Sequence, residues 1–71
     1  MDNKEYHIGD SIKANRLLAG LTQTQLAKLI GVTHAAISYW ENGVNIPNIA
    51  DCLKMADVLD IGLDELVGRY R

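Results

Sequence analysis

Apolar residues recur along this chain at intervals of three and four, in runs cut by glycine, proline and capping residues. From about Ile8, the positions Ile8, Ile12, Leu17 and Ala19 follow helical spacing, and Gly20 ends that first helix. Thr22-Gln23-Thr24-Gln25 marks a second start. Thr22 is placed to cap it, and Gln25, three residues on, to reach back and close a capping box. Leu26, Ala27, Leu29 and Ile30 give this helix its buried side. Gly31 is able to take the positive φ of a tight corner, Val32 supplies an apolar plug, and Thr33 caps a third helix. That helix runs through Ile37 and Trp40 and stops at Asn42-Gly43. A turn from Val44 to Pro47 leads to a fourth, with Asn48 as cap and Asp51 favouring its dipole. Ile49, Cys52, Leu53, Met55, Ala56 and Leu59 form its apolar side, and Ile61 with a short fifth helix, about Leu63 to Val67, closes the pattern before Gly68. No stretch alternates with the period of a strand. The pattern predicts an all-α, five-helix orthogonal bundle over residues 8–68, with a loose polar tail at 1–7 and a C-terminal tail at 69–71.

At 71 residues the chain is one domain, near the lower size limit for a core that folds unaided. The composition, 48% hydrophobic, supplies that core and argues against global disorder. Aromatics are restricted to Tyr6, Tyr39, Trp40 and Tyr70, so Leu, Ile, Val and Ala must carry the packing. The single cysteine, Cys52, excludes an intrachain disulfide and a CxxC metal site, and it fits a reducing cytoplasm. No apolar run approaches the roughly 20 residues that cross a bilayer, and Met1-Asp2-Asn3-Lys4-Glu5 has no signal-peptide stretch.

Charge changes the picture more by its distribution than by its sum. The net charge of −2 argues mildly against a nucleic-acid partner. Between Ser11 and Gly43, however, Lys13, Arg16 and Lys28 face only Glu41. From Val44 onward, Asp51, Asp57, Asp60, Asp64 and Glu65 outnumber Lys54, Arg69 and Arg71. Such an asymmetry orients a molecule in the field of a polyanion. Taken singly, each of these charges is equally a solvated position on a helix face.

The residues offer little for catalysis. His7 and His34 have no partner ligand at i+3 or i+4, and Asp64-Glu65 sit in a helix first turn, where acids favour the dipole. There is no Ser-His-Asp order, no glycine-rich phosphate loop and no room for a substrate pocket of a few hundred Å³. The expectation is no enzyme, no metal, no cofactor and no small-molecule substrate. Trp40, at helical spacing from Ile37, belongs to the core rather than to a stacking surface. Cys52 on an apolar face reads as an inert small hydrophobe rather than a redox sensor.

Gln23 to Gly43 is the informative stretch: two short helices, each begun at a threonine cap, joined by a glycine turn, with small Ala27 where they cross. This is the helix-turn-helix layout, whose first helix crosses the DNA backbone while the second enters the major groove. A glycine corner by itself occurs in any pair of packed helices. The run Ile8-Gly9, Ile12-Lys13, Arg16, Ala19-Gly20-Leu21-Thr22-Gln23, Gln25-Leu26-Ala27, Ile30-Gly31-Val32-Thr33, Ile37-Ser38, Trp40-Glu41-Asn42-Gly43 and Pro47 resembles the Xre-type (phage repressor, Cro/CI) helix-turn-helix family. Leu53-Lys54-Met55-Ala56, Leu59 and Leu63-Asp64-Glu65-Leu66 are similar to that family's last two helices, so the resemblance covers about residues 8 to 68.

The resemblance implies a lambda-repressor-like fold and gives positions to its working residues. Gln23, at the start of the second helix, matches a phosphate contact; Thr22, Lys13, Asn42 and Asn45 are expected beside the backbone with it. Thr33, His34, Ala35, Ser38 and Tyr39 match the positions that meet bases and nearby phosphates, on the face turned outward when Ile37 and Trp40 point in. Arg16 and Glu41 match a semi-buried structural ion pair. Gln23, His34, Ser38 and Tyr39 have polar reach, and Ala35 suits a thymine methyl. Tyr39 either holds a phosphate or covers the neighbourhood of Ile37. Where many relatives carry Gln, Arg or Lys, this chain has Ala35, Ala36 and Tyr39, and the segment after Gly43 is Val44-Asn45-Ile46 rather than basic. Few cations imply modest, salt-sensitive binding.

The implied function is sequence-specific recognition of double-stranded DNA by a transcriptional repressor bound as a dimer to a palindromic operator. Val44, Ile46, Leu63 and Val67 are the candidate contacts of a weak homodimer. The competing reading is an antitoxin-like or Cro-like protein-interaction module, with a protein partner and only secondary DNA binding.

Overall fold

Helix follows helix without interruption by any strand in the computed structural model, which describes residues 7–68. Among these residues the order is α1 (Ile8–Leu18), α2 (Gln23–Ile30), α3 (His34–Glu41), α4 (Ile49–Leu59) and α5 (Leu63–Val67). The all-α, five-helix expectation holds. Of the tails expected at 1–7 and 69–71, residues 1–6 and 69–71 lie outside the described residues.

The starts and stops are made by the local chemistry read from the sequence. Thr22 Oγ1 accepts from the Gln25 amide at 3.0 Å while Gln25 Oε1 accepts from the Thr22 amide at 2.8 Å, a complete capping box. Thr33 Oγ1 accepts from the Ala36 amide at 3.1 Å, and Asn48 Oδ1 from that of Asp51 at 2.8 Å. Gly31 closes α2 at φ 77°, and the next amide, Val32, donates back to Ala27 at 2.9 Å, turning the chain into α3. One stop was not foreseen: α4 ends at Asp60, a non-glycine residue at φ 57°.

The core is a single cluster. Ile12, Leu26, Ile37, Met55 and Leu66 are fully buried, with Ala27, Ile30, Trp40, Cys52, Ala56 and Leu59 around them. Ile8, Leu21, Val32, Ala36 and Ile61 pack against its margin. Five residues of the expected apolar pattern lie outside the core: Leu17, Ala19, Leu29, Ile49 and Leu53 are exposed. The reason is azimuthal. At 100° per residue, Leu17 lies opposite Ile8, and the inward place after Ile12 falls to Arg16. Leu29 stands just past the arc of Leu26, Ile30 and Ala27. Ile49 and Leu53 share a flank of α4 beyond the arc of Cys52, Met55, Ala56 and Leu59. Ala19 has already left the helix.

The buried Cys52 thiol points toward the Pro47 carbonyl, and burial, helped by the charge of Asp51, pushes its pKa upward. A thiol held protonated is a poor nucleophile, as expected for an inert core residue.

Two close approaches fix how α1 sits. His7, placed with the loose tail by its polar neighbours, is instead fastened: its amide donates to the Gly68 carbonyl at 3.3 Å, while Ser11 Oγ donates to the Glu65 carbonyl. At the other contact Gly9 lies directly against the end of α3. A Cβ at Gly9 would overlap the Trp40 carbonyl oxygen and come within 2.9 Å of that of Glu41. Both neighbours are backbone, so little can yield. Gly9→Ala is expected to destabilise by about 1–3 kcal/mol, read as a lower urea midpoint at unchanged slope. Wild-type stability in this variant would mean that α1 and α3 are less closely packed.

Candidate nucleic-acid interface

Around the α2–α3 corner the sequence assembles one polar network on an apolar floor. Ala27 and Ile37 are buried where the two helices cross, so the helices meet closely and their first residues come together. Behind them, Arg16 of α1 reaches Glu41 at the end of α3. Nε lies 2.7 Å from Oε2 and Nη2 3.0 Å from Oε1, and Nη1 donates to the Leu21 carbonyl at 2.9 Å. The side chains are 8% and 3% exposed, so the expected semi-buried pair is present and bidentate. Its hydrogen bond to Glu41 is the largest influence on Arg16. Together with the charge of Glu41, it outweighs the opposing effect of burial and raises the guanidinium pKa.

Gln23 extends this network outward. Its Nε2 donates to Glu41 Oε1 at 2.9 Å, and its Oε1 lies 2.8 Å from His34 Nε2. Sequence reasoning placed Gln23 and His34 on one surface but missed that they bond each other and are anchored to Glu41. Nothing in their spacing signals it, because the contacts depend on how α2 crosses α3.

The other candidates fall as follows. Thr33, His34, Ala35 and Tyr39 are exposed on α3, and Ser38 is partly buried. The hydroxyl oxygens of Thr33 and Thr22 accept from amides as caps, which leaves the O–H of each as a donor. Asn42 is exposed, with Nδ2 3.4 Å from Ser38 Oγ. Lys13 is exposed on α1, and Asn45 on the α3–α4 turn. Asn42 and Asn45 share an open cleft with Asp10, whose carboxylate opposes a phosphate there. Tyr39 is half exposed. Among the candidate dimer contacts, Val44 and Ile46 are 66% and 71% exposed, Leu63 is at the edge of exposure, and Val67 is partly buried. Ile49 and Leu53 add exposed apolar surface on the helix that this turn feeds. Among the described residues no helix is long and apolar enough to cross a membrane.

A third helix set outward from a glycine corner, over a buried ion pair, defines a helix-turn-helix domain of DNA-binding transcriptional regulators. The helix-turn-helix family model HTH_3 matches residues 12–66, and the chain belongs to this family, of the Xre/Cro-CI type. It is 33% identical over 63 residues to the cryptic phage CTXphi transcriptional repressor RstR of Vibrio cholerae, a match covering 89% of this chain and 56% of RstR. It is 40% identical over 58 residues to YazB of Bacillus subtilis, an uncharacterized HTH-type transcriptional regulator, covering 82% of this chain and 84% of YazB. Among solved structures it is similar to the c2 repressor of phage P22 in complex with a synthetic operator. That match has a TM-score of 0.80 at 33% identity and covers 84% of this chain and 91% of the repressor chain. The chain thus spans about half the length of RstR and most of YazB.

Proposed function

We propose that this chain is a transcriptional repressor that recognises double-stranded DNA sequence-specifically and occludes a promoter, bound as a dimer to a palindromic operator. The observation that carries the reading is the outward face of α3, where His34, Ala35 and Tyr39 stand exposed while Gln23 is held at the start of α2. Ala35 offers an apolar contact, His34 and Tyr39 offer polar ones, and the free amides at the start of α2 suit a phosphate. The likeness to the CTXphi repressor and to the operator-bound P22 repressor supports the same reading. One such domain reads a half-site, so two copies must sit one helical turn, about 34–36 Å, apart. Val44 and Ile46, wholly outside the core, are the strongest candidates for the contact between them, with Leu63 and Val67 at its edge. Among the described residues of α1, α2 and α3, Lys13 and Lys28 are the exposed cations, so affinity is modest and falls steeply with salt.

The deciding experiment is fluorescence anisotropy of duplexes from the gene's own upstream region against scrambled duplexes, across a salt series. A preference of about 10³-fold or more, with log K linear in log salt, is the expected result. Equal and weak binding to both would favour the antitoxin-like or Cro-like protein-interaction role. Gln23→Ala and Ser38→Ala are each expected to weaken operator binding about tenfold without unfolding the domain, as circular dichroism would show. Operator affinity untouched by the double variant would rule out this docking. Val44→Lys with Ile46→Lys is expected to abolish dimers in sedimentation velocity and to weaken full-operator binding; wild-type association would remove the turn from the interface.

A further inference from the structure

The hydrogen bonds that join α1, α2 and α3 can run in only one direction. Arg16 has donors and no acceptor, so both oxygens of Glu41 accept from it. A carboxylate only accepts, so the Gln23 amide must turn its nitrogen to Glu41, as it does at 2.9 Å. Its carbonyl oxygen is then committed to the other side, 2.8 Å from His34 Nε2. A carbonyl cannot donate, so this ring nitrogen must carry the proton. A neutral imidazole has one N–H, which leaves Nδ1 as a bare acceptor. His34 is exposed at the first position of α3, and among the described residues none bonds its Nδ1.

We propose that Glu41, acting through Gln23, fixes His34 as a hydrogen-bond acceptor toward DNA, so that it selects adenine or cytosine on the strand it faces. Those two bases offer an amino donor in the major groove, adenine N6 and cytosine N4, whereas guanine and thymine present acceptors at the corresponding edge. The inference rests on the reading that α3 enters the major groove. Glu41 and Gln23 are positioning residues, and His34 is the one that reads. A histidine without this tether offers either nitrogen and discriminates less.

The test has a limb without DNA and a limb with it. In the full chain labelled with ¹⁵N-histidine, two-bond N–H correlation at pH 8.5 is expected to show His34 almost wholly as the Nε2–H tautomer. In Gln23→Leu, or Gln23→Met should the first not fold, a mixture of tautomers is expected. An Nδ1–H tautomer in the wild type, or no change in the variant, overturns the proposal. In the second limb, duplexes are selected from a randomised pool by the wild-type chain, and each base pair of the consensus is then replaced in turn. One position per half-site is expected to favour adenine or cytosine over guanine and thymine by about tenfold. His34→Ala should flatten that position alone, and Gln23→Leu should weaken it. A base pattern that survives His34→Ala overturns the assignment while leaving DNA recognition intact. Failure to select any consensus, with the expected tautomer present, overturns the DNA reading itself and the base assignment with it.

Discussion

Glu41→Ala is expected to destabilise the domain by about 3–5 kcal/mol, the characteristic cost of leaving one member of a buried ion pair without its partner. A domain of this size has only about 5 kcal/mol or a little more to lose, so much of the protein should be unfolded at 37 °C. The guanidinium of Arg16, buried in the wild type, would keep one carbonyl, that of Leu21, and would lose the partner of two donors. Gln23 would lose the acceptor that orients it. Urea unfolding followed by circular dichroism gives the value, and the paired replacement Arg16→Met with Glu41→Leu provides the contrast. Removing both charges together should cost distinctly less than removing one. A loss below about 1 kcal/mol for Glu41→Ala alone would show that the pair does not hold α1 to α3. The raised pKa of Arg16 adds no weakness near neutrality. A cationic group whose pKa rises on folding keeps its full contribution below the unfolded value, and for arginine the loss begins only in strong alkali.

Trp40→Ala should match that effect by a different mechanism, again about 3–5 kcal/mol. Trp40 is 7% exposed and is the largest side chain in a core that has no phenylalanine. Its loss opens a cavity that neighbouring Leu and Ile side chains cannot fill, because each is held by its own helix. Its backbone carbonyl also borders Gly9, so the cavity opens beside a place where even an added methyl group would not fit. Unfolding monitored by far-ultraviolet circular dichroism measures the effect, since the variant has no tryptophan fluorescence. Trp40→Phe, which keeps most of the volume, should lose clearly less. A cost for Trp40→Ala under about 1 kcal/mol would place the ring at the surface, where a stacking role would return.

How much of this was legible from sequence follows the range of the interaction. Thr22, Gln25, Gly31, Thr33 and Asn48 act on residues three or four away, and all five do in the structure what local chemistry predicts. The inward faces were mostly legible. Leu17, Leu29, Ile49 and Leu53 were misplaced because hydrophobicity marks which residues prefer burial, while the azimuth of the packed face decides which obtain it. The Arg16–Glu41 pair came from family resemblance. The bonds of Gln23 to Glu41 and His34 could not be read at all, since they depend on the crossing of three helices. Gly9 was similarly hidden: its need for a missing Cβ arises from a carbonyl far along the chain. Asp60 escaped notice because aspartate tolerates the left-handed conformation less conspicuously than glycine.

The closure of α1 by α5 bears on how the molecule comes apart. α5 is five residues long, too short to persist as an isolated helix, yet Leu66 is fully buried and Gly68 receives the amide of His7. The two ends of the described chain therefore hold each other in place. Neither can fray far without exposing Leu66 and loosening Ser11 from the Glu65 carbonyl. Opening at one of these described ends is felt at the other. Helix α3 lies between two described ends that fasten one another, so loosening either one loosens the frame that holds it.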